Sequence, residues 1–395
     1  MVLAILASCS RSGLLSMGGI LLLYSFRQKK IVINKKMKYI YFPVVSFLFF
    51  IGLYFVKKDS ANGRILIWEC AWNMVKDKPF AGHGMYGVEA HYMDYQAEYF
   101  MNHPNSPYSM LAGNVKSVFN EYLSVWVRYG SVVFFVLLIF VCFLFHCYRK
   151  HQTVEGDIAV FSLLGIAIFS FFSYPLTYPF VWIVLLIDAI VIIYDAYPFI
   201  PYNQVYRIVL SILFVTITLI TFSFVGKRVY AELKWNEILQ NSSITGIKSS
   251  LPVYSALFPL LKDNPYFLYN YAVDLSIIGD DCASLKMSLL CRQYWADYDL
   301  ELLIGDNYRK LGQKACAETY YKKAALMCPS RFTPLYKLYY LYKANGDINE
   351  AYKTGMVIIN KPMKFKTLEI VLMKREIEQD LKKTDESFLG TYVSK

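Results

Sequence analysis

The chain has 395 residues, 56% of them hydrophobic and 17% aromatic, with a mean hydropathy of +0.33. That balance excludes an ordinary soluble domain and fits a membrane protein with a polar appendage. The formal charge of +11 does not point to nucleic acid, because no reader motif accompanies it and many basic residues flank apolar runs, where they orient spans and meet anionic head groups.

Apolar runs long enough for a bilayer extend roughly from Val2 to Phe26, Tyr39 to Val56, Tyr129 to Cys147, Ile158 to Ser173, Leu176 to Tyr194 and Tyr206 to Val225. Only Ser173-Tyr174-Pro175 separates the fourth from the fifth, which predicts a tight helical hairpin or one broken helix. Arg27, Lys29, Lys30, Lys35, Lys36 and Lys38 crowd the first connection, and Arg149 and Lys150 follow the third run. Both connections are therefore expected to be cytoplasmic. By alternation the loop 57–128 and everything after about residue 226 lie outside the cytoplasm. Met1 would then begin outside with no basic region before the first span, the reverse of a cleavable signal. Further spans upstream of Met1 are expected, a natural N-out first span being the alternative. The fold class is all-α: a polytopic transmembrane helical bundle over 1–226 with a large extracytoplasmic loop, followed by a helical repeat domain over 227–395.

Within the first span, Ser10-Arg11-Ser12-Gly13 places an arginine deep in an apolar run. Such a residue faces a bundle interior, a water-filled cavity or an anionic ligand, or else snorkels to the head groups. In the loop, Asn62 reads as an N-cap, and Ile65, Trp68, Ala71 or Trp72, and Val75 recur at helical spacing until Lys78-Pro79 stops the run. This predicts an amphipathic helix at the membrane surface, with Arg64 in its first turn. Arg11 and Arg64 together suit a diphosphate, since guanidinium makes paired, charge-assisted hydrogen bonds to phosphate oxygens and stays charged.

Gly82-His83-Gly84 and Gly87 predict a flexible turn that lets backbone approach a ligand or fold tightly. The following tyrosines, Tyr86, Tyr92, Tyr95, Tyr99 and Tyr108, suit the water–lipid interface better than sugar stacking. Histidines 83, 91 and 103 are too irregularly spaced for a metal site. His103, in Asn102-His103-Pro104-Asn105, is the candidate base, an ordinary surface histidine being the alternative.

Arg11 in its Ser-Arg-Ser context, Arg64 with Trp68, Pro79-Phe80-x-Gly82-x-Gly84 and Asn120-Glu121-Tyr122-Leu123 leading into the next span resemble the O-antigen ligase and polymerase superfamily. The resemblance runs from about Val2 to Val225. It implies a membrane glycosyltransferase at the outer face of the bacterial inner membrane, taking a glycan from an undecaprenyl-diphosphate carrier and passing it to a glycan, lipid or protein acceptor. It implies that Arg11 and Arg64 bind the diphosphate, that Asn120 contributes to the substrate site, and that a histidine just before the asparagine is the base. Phe119 occupies that position here. Either His103 or His83 substitutes, or the diphosphate leaves with little base assistance, or the copy is inactive; no metal or cofactor is required.

In the tail, Gly305, Tyr308, Ala317, Tyr321, Ala324 and Pro329 fall at the consensus positions of a thirty-four-residue tetratricopeptide frame. A following copy keeps Leu338, Tyr342, Gly346 and Ala351, and a weaker one precedes around Ala283. An α-solenoid with a concave face is expected, docking another polysaccharide-assembly protein or guiding the acceptor. Asp297 and Asp299 read as a solvated helix-end pair. Cys282 and Cys316, one repeat apart, suggest equivalent packing positions more readily than a disulfide. Two other classes compete: a membrane-anchored repeat scaffold, which leaves Arg11 and the loop unexplained, and a transporter, which would predict polar or broken segments in several spans.

Overall fold

The computed structural model describes residues 11–27, 58–197 and 204–393. The span expected over Tyr39 to Val56 and the start of the first span lie outside the described residues. Among the described residues every regular element is a helix, as expected. The chain divides into two compact units, one of Met1–Val88 with Val115–Asn203 and one of Glu89–Asn114 with Gln204–Lys395.

The first unit contains α1 (Arg11–Arg27), α2 (Lys58–Asp77), the start of α3 (Gly87–Asn102), α4 (Glu121–Lys150), α5 (Val154–Ser170) and α6 (Pro179–Ala196). Helix α1 packs on α5 through small residues. The Ser16 hydroxyl donates to the Gly165 carbonyl at 2.8 Å, and a Cβ on Gly19 would come 2.5 Å from the Ile168 side chain. Without a hydrophobic drive between helices in lipid, such close approach and interhelical hydrogen bonding are what hold a bundle together. At the Lys150 end, Leu144, Cys147 and Tyr148 of α4 meet Ala159 of α5 and Ile192 and Ala196 of α6. Thr153 caps α5 there, accepting from the Gly156 amide at 2.9 Å while its hydroxyl donates to Asp195. Between α5 and α6 the chain makes a 3-10 turn over Pro175–Thr177, because Pro175 and Pro179 each remove an amide donor, so the fourth and fifth runs are separate helices.

Helices α4, α6 and the stretch Gln204–Gln240 are long and apolar enough to cross a membrane. Their outward residues, Phe135 to Val141 on α4 and Phe180 to Ile187 on α6 among them, are largely exposed, as a lipid-facing surface requires. Helices α1 and α5 are shorter, at 17 residues each.

The second unit begins with α7 (Gln204–Thr245), which runs unbroken through Gly226. Its first half is exposed and apolar; farther along, Ala231 and Ile238 enter a core with Tyr254, Leu261 and Phe267. Then follow α8 (Ile247–Leu261), α9 (Pro265–Ile277), α10 (Asp281–Arg292), α11 (Tyr298–Lys310), α12 (Lys314–Met327), α13 (Thr333–Asn345), α14 (Ile348–Asn360) and α15 (Leu368–Val393), each packed on the next. Small residues shape the pairing of α11 with α12. Ala317, Tyr321 and Ala324 are fully buried, and a Cβ on Gly305 would come 2.6 Å from the Tyr321 ring, so glycine there lets the aromatic ring of α12 lie against α11. The Tyr321 hydroxyl is held by Asp306 at 2.6 Å.

Three local expectations are corrected. Tyr92 is fully buried in the second unit and donates to Gln96 Oε1 at 3.0 Å, instead of sitting at a lipid interface. Asp297 is a helix-end residue as expected but is buried, accepting from the Asp299 amide at 2.9 Å and from Asn114 Nδ2 at 2.6 Å. Asn62 lies inside α2, which begins at Lys58, so it is not the cap. Among the described residues the cysteines are free thiols, with Cys282 and Cys316 exposed and Cys291 and Cys328 buried.

Candidate functional site

Helix α2 forms as its apolar spacing requires, but the buried stripe is Leu66, Ile67, Cys70, Ala71, Met74 and Val75. Ile65 and Trp72 are exposed, and Trp68 sits at the edge of the stripe, its indole N–H donating to the Val118 carbonyl at 3.0 Å. That bond fixes the strand of chain leading to Phe119 alongside α2. One turn earlier on the same helix, Arg64 places its guanidinium 5.4 Å from the Phe119 ring centroid. Tyr174 packs edge-on against the same ring, with centroids 5.4 Å apart.

Phe119 has φ 55, the sole non-glycine residue with positive φ among the described residues. A β-carbon in this left-handed region costs of order 1–3 kcal/mol and persists only where surrounding structure enforces it. Here the enforcing contacts are Arg64, Tyr174 and the capped helix that follows. Asn120 is the N-cap of α4, its side-chain oxygen accepting from the Leu123 amide at 3.0 Å. Glu121, next in the chain, is buried and accepts from the Leu176 amide at 2.8 Å, tying the Tyr174-Pro175-Leu176 corner to the start of α4. Among the described residues the cluster thus brings the Arg64 guanidinium, the buried Glu121 carboxylate and the Phe119 and Tyr174 rings into one region.

The glycine turn has a structural use. Helix α4 is broken at Gly130, whose φ 74 and ψ −178 interrupt the helical ladder. The carbonyls freed by that break accept from the turn: His83 N to Val127 O at 2.8 Å and Gly84 N to Arg128 O at 2.9 Å. In return Ser131 N donates to Pro79 O at 2.8 Å. The backbones approach so closely that a Cβ on Gly130 would overlap the Phe80 carbonyl, and one on Gly82, with φ +67, would lie 2.5 Å from the Arg128 carbonyl oxygen. Pro79 to Gly84 is thus a backbone plug in the kink of α4, not an open turn awaiting a ligand.

The sequence-derived site residues are partly brought together. Arg64, Asn120 and the Phe119 position share one cluster in the first unit. Of Arg11 the structure describes the backbone only, as the first residue of α1, and its side chain lies outside the described residues. His83 Nε2 donates to the Met74 carbonyl at 2.8 Å, which commits that nitrogen to closing the end of α2. His103 belongs to the second unit, exposed and stacked on Tyr99 at 4.7 Å. Its Nδ1 donates to the Tyr99 carbonyl at 3.0 Å, leaving the Nε2 lone pair as the proton-accepting side of the ring.

Sequence reasoning missed Tyr174, Glu121 and Gly130. Glu121 and Gly130 carried signals, a carboxylate in the first turn of an apolar helix and a glycine near its head. Tyr174 carried none beyond the proline after it.

An all-helical protein with membrane-length apolar helices and a capped, arginine-bearing cluster at the head of one of them is the class so defined. Residues 1–138 match the family model described as O-antigen ligase. The match bears out the resemblance over that stretch and supports, at the family level, a membrane enzyme of glycosyltransferase-like type; it spans Arg11, Arg64, the Pro79–Gly84 plug, Phe119, Asn120 and Gly130. No curated protein matches the chain.

Proposed function

We propose that the protein is a glycosyltransferase of a bacterial inner membrane, transferring or polymerising a surface glycan from an undecaprenyl-diphosphate donor on the outer face, without a metal. The observation that carries this reading is the Arg64–Phe119–Asn120 cluster within the family-matched region. Arg64 grips the diphosphate together with Arg11, and the charge developing on the leaving diphosphate is stabilised by guanidinium groups already in place. Because Phe119 cannot take a proton, the electrostatic grip carries most of the catalysis. Asn120 holds the head of α4 so that the substrate groups meet a fixed surface. His103, in its proton-accepting tautomer, is the proposed base for the acceptor hydroxyl. The tail is read as tetratricopeptide-like, and loop 57–128 and the tail as periplasmic.

Complementation of a polymer-deficient strain tests the reading. Arg64→Ala and Arg11→Ala are expected to abolish polymer, and Arg64→Lys to restore little of it, since a point charge does not replace the bidentate fork. Polymer at wild-type levels from both alanine variants would defeat the catalytic reading and favour a membrane-anchored scaffold. His103→Ala is expected to lower transfer by about a hundredfold, within the range of general-base assistance. In that background Phe119→His, which places an imidazole where the family has one, is expected to recover part of the loss.

A further inference from the structure

The structure places residues 89–114 of the loop between spans within the second unit, packed among the repeat helices. Helix α3 presents Tyr92, Met93, Gln96 and Phe100 as a fully buried face. Its polar atoms are met one by one. Arg292, the last residue of α10, uses three nitrogens: Nη2 on Asp94 at 2.5 Å, Nη1 on the Ala90 carbonyl at 3.0 Å and Nε on Glu301 at 2.5 Å. The Arg292 side chain is 16% exposed and Glu301 fully buried. Burial pulls the guanidinium pKa down, but Glu301 and Asp94 more than offset it and hold the group above its ordinary value. Lys323 of α12 also reaches Asp94, at 2.8 Å.

Backbone is matched as well. Gln96 Nε2 donates to the Met327 carbonyl at 2.6 Å, satisfying an acceptor that the end of α12 leaves without an intrahelical partner. The Ala296 amide donates to the Glu89 carbonyl at 2.8 Å. Asn114, where the segment ends, donates to the buried Asp297 at 2.6 Å. A helix seated by a buried, fork-like arginine, by a backbone hydrogen bond at its Glu89 end and by the Gln96 side chain is bound as a peptide ligand is bound.

We propose that the repeat domain is a receptor for this chain's own loop: α10, α11 and α12 hold residues 89–114 in cis. This repeat face is occupied by the chain itself, so a protein partner docks elsewhere on the solenoid or must displace the loop. The inference concerns the loop and stands independently of the glycan chemistry.

Hydrogen exchange of the full-length protein in lipid nanodiscs tests it, comparing wild type with Arg292→Gln and with Gln96→Ala. Gln96 lies on the loop and is no part of the repeats, so its loss cannot directly unfold them. Amides of 90–102 are expected to be protected in wild type and to exchange about tenfold or more faster in both variants, with α13 and α14 unchanged. Equal exchange of the loop in wild type and variants would overturn the proposal. So would loss of protection throughout α11 to α14 in both variants, which would make these residues supports of the repeats rather than a grip on the loop. Transfer activity is not read, so failure of the glycosyltransferase reading leaves this result intact.

Discussion

Two joints in this molecule solve the same problem by opposite means. In the first unit the Pro79–Gly84 turn enters the kink of α4 through backbone alone, with Gly82 and Gly130 supplying the space and three amide–carbonyl bonds the direction. In the second unit α3 is seated by side chains, with Arg292 shared between Asp94 and Glu301. A backbone joint has no charge to desolvate and no rotamers to order, but it tolerates no added atom. A side-chain joint accepts substitution gradually, because relaxation and water can replace part of what is lost.

The contrast can be broken or sharpened by graded substitution. Gly130→Ala, which combines positive φ with overlap of the Phe80 carbonyl, is expected to cost about 3 kcal/mol or more, seen as loss of the folded protein in thermal unfolding in detergent; a wild-type melt would mean the plug is not the joint described. Gly82→Ala should follow at about 2 kcal/mol, for the same reason with a less severe overlap. Asp94→Asn keeps the shape at the side-chain joint but leaves Arg292 with one charged partner fewer, and about 1 kcal/mol is expected, discounted because Asp94 is partly solvated. If Asp94→Asn cost more than Gly130→Ala, the comparison would be inverted.

An effect of similar size concerns pH. Burial, with Lys374 adding to it, pushes Lys361 down to about 8, while its ammonium faces the Arg331 carbonyl at 2.6 Å. A folded pKa below the unfolded value of about 10.4 means the folded state binds fewer protons between the two. The cost of charging Lys361 is therefore fully present below pH 8, and stability rises as pH climbs from 8 towards 10.4. A rise of about 1 kcal/mol is expected after allowance for partial solvation, and Lys361→Met should flatten it in thermal melts taken across that range.

Much of the fold was legible because it rests on spacing. The apolar runs, and small residues of the tail such as Gly305, Ala317 and Ala324, declare their own packing. Helix α2 was legible, but its start was not, since Lys58-Asp59-Ser60 is polar and reads as connection. Its buried stripe is shifted because the partner surface around Val118 decides which face turns inward. The left-handed Phe119 could not be foreseen, because nothing local favours it. Nor could Asp297 be recognised as buried, since the Asn114 side chain that satisfies it lies far away in the sequence. Arg64 was readable as a candidate through its place in the first turn of the predicted helix, since basic residues beside apolar runs are otherwise common.

The break at Gly130 has one more consequence. From Ser131 to Lys150 the chain retains about 20 helical residues, which at 1.5 Å per residue is close to the thickness of a hydrocarbon layer. The glycine therefore acts as a ruler mark: it leaves a bilayer-length helix on one side, and on the other the turns from Glu121 to Tyr129, whose direction relative to the span is fixed by the Pro79–Gly84 plug.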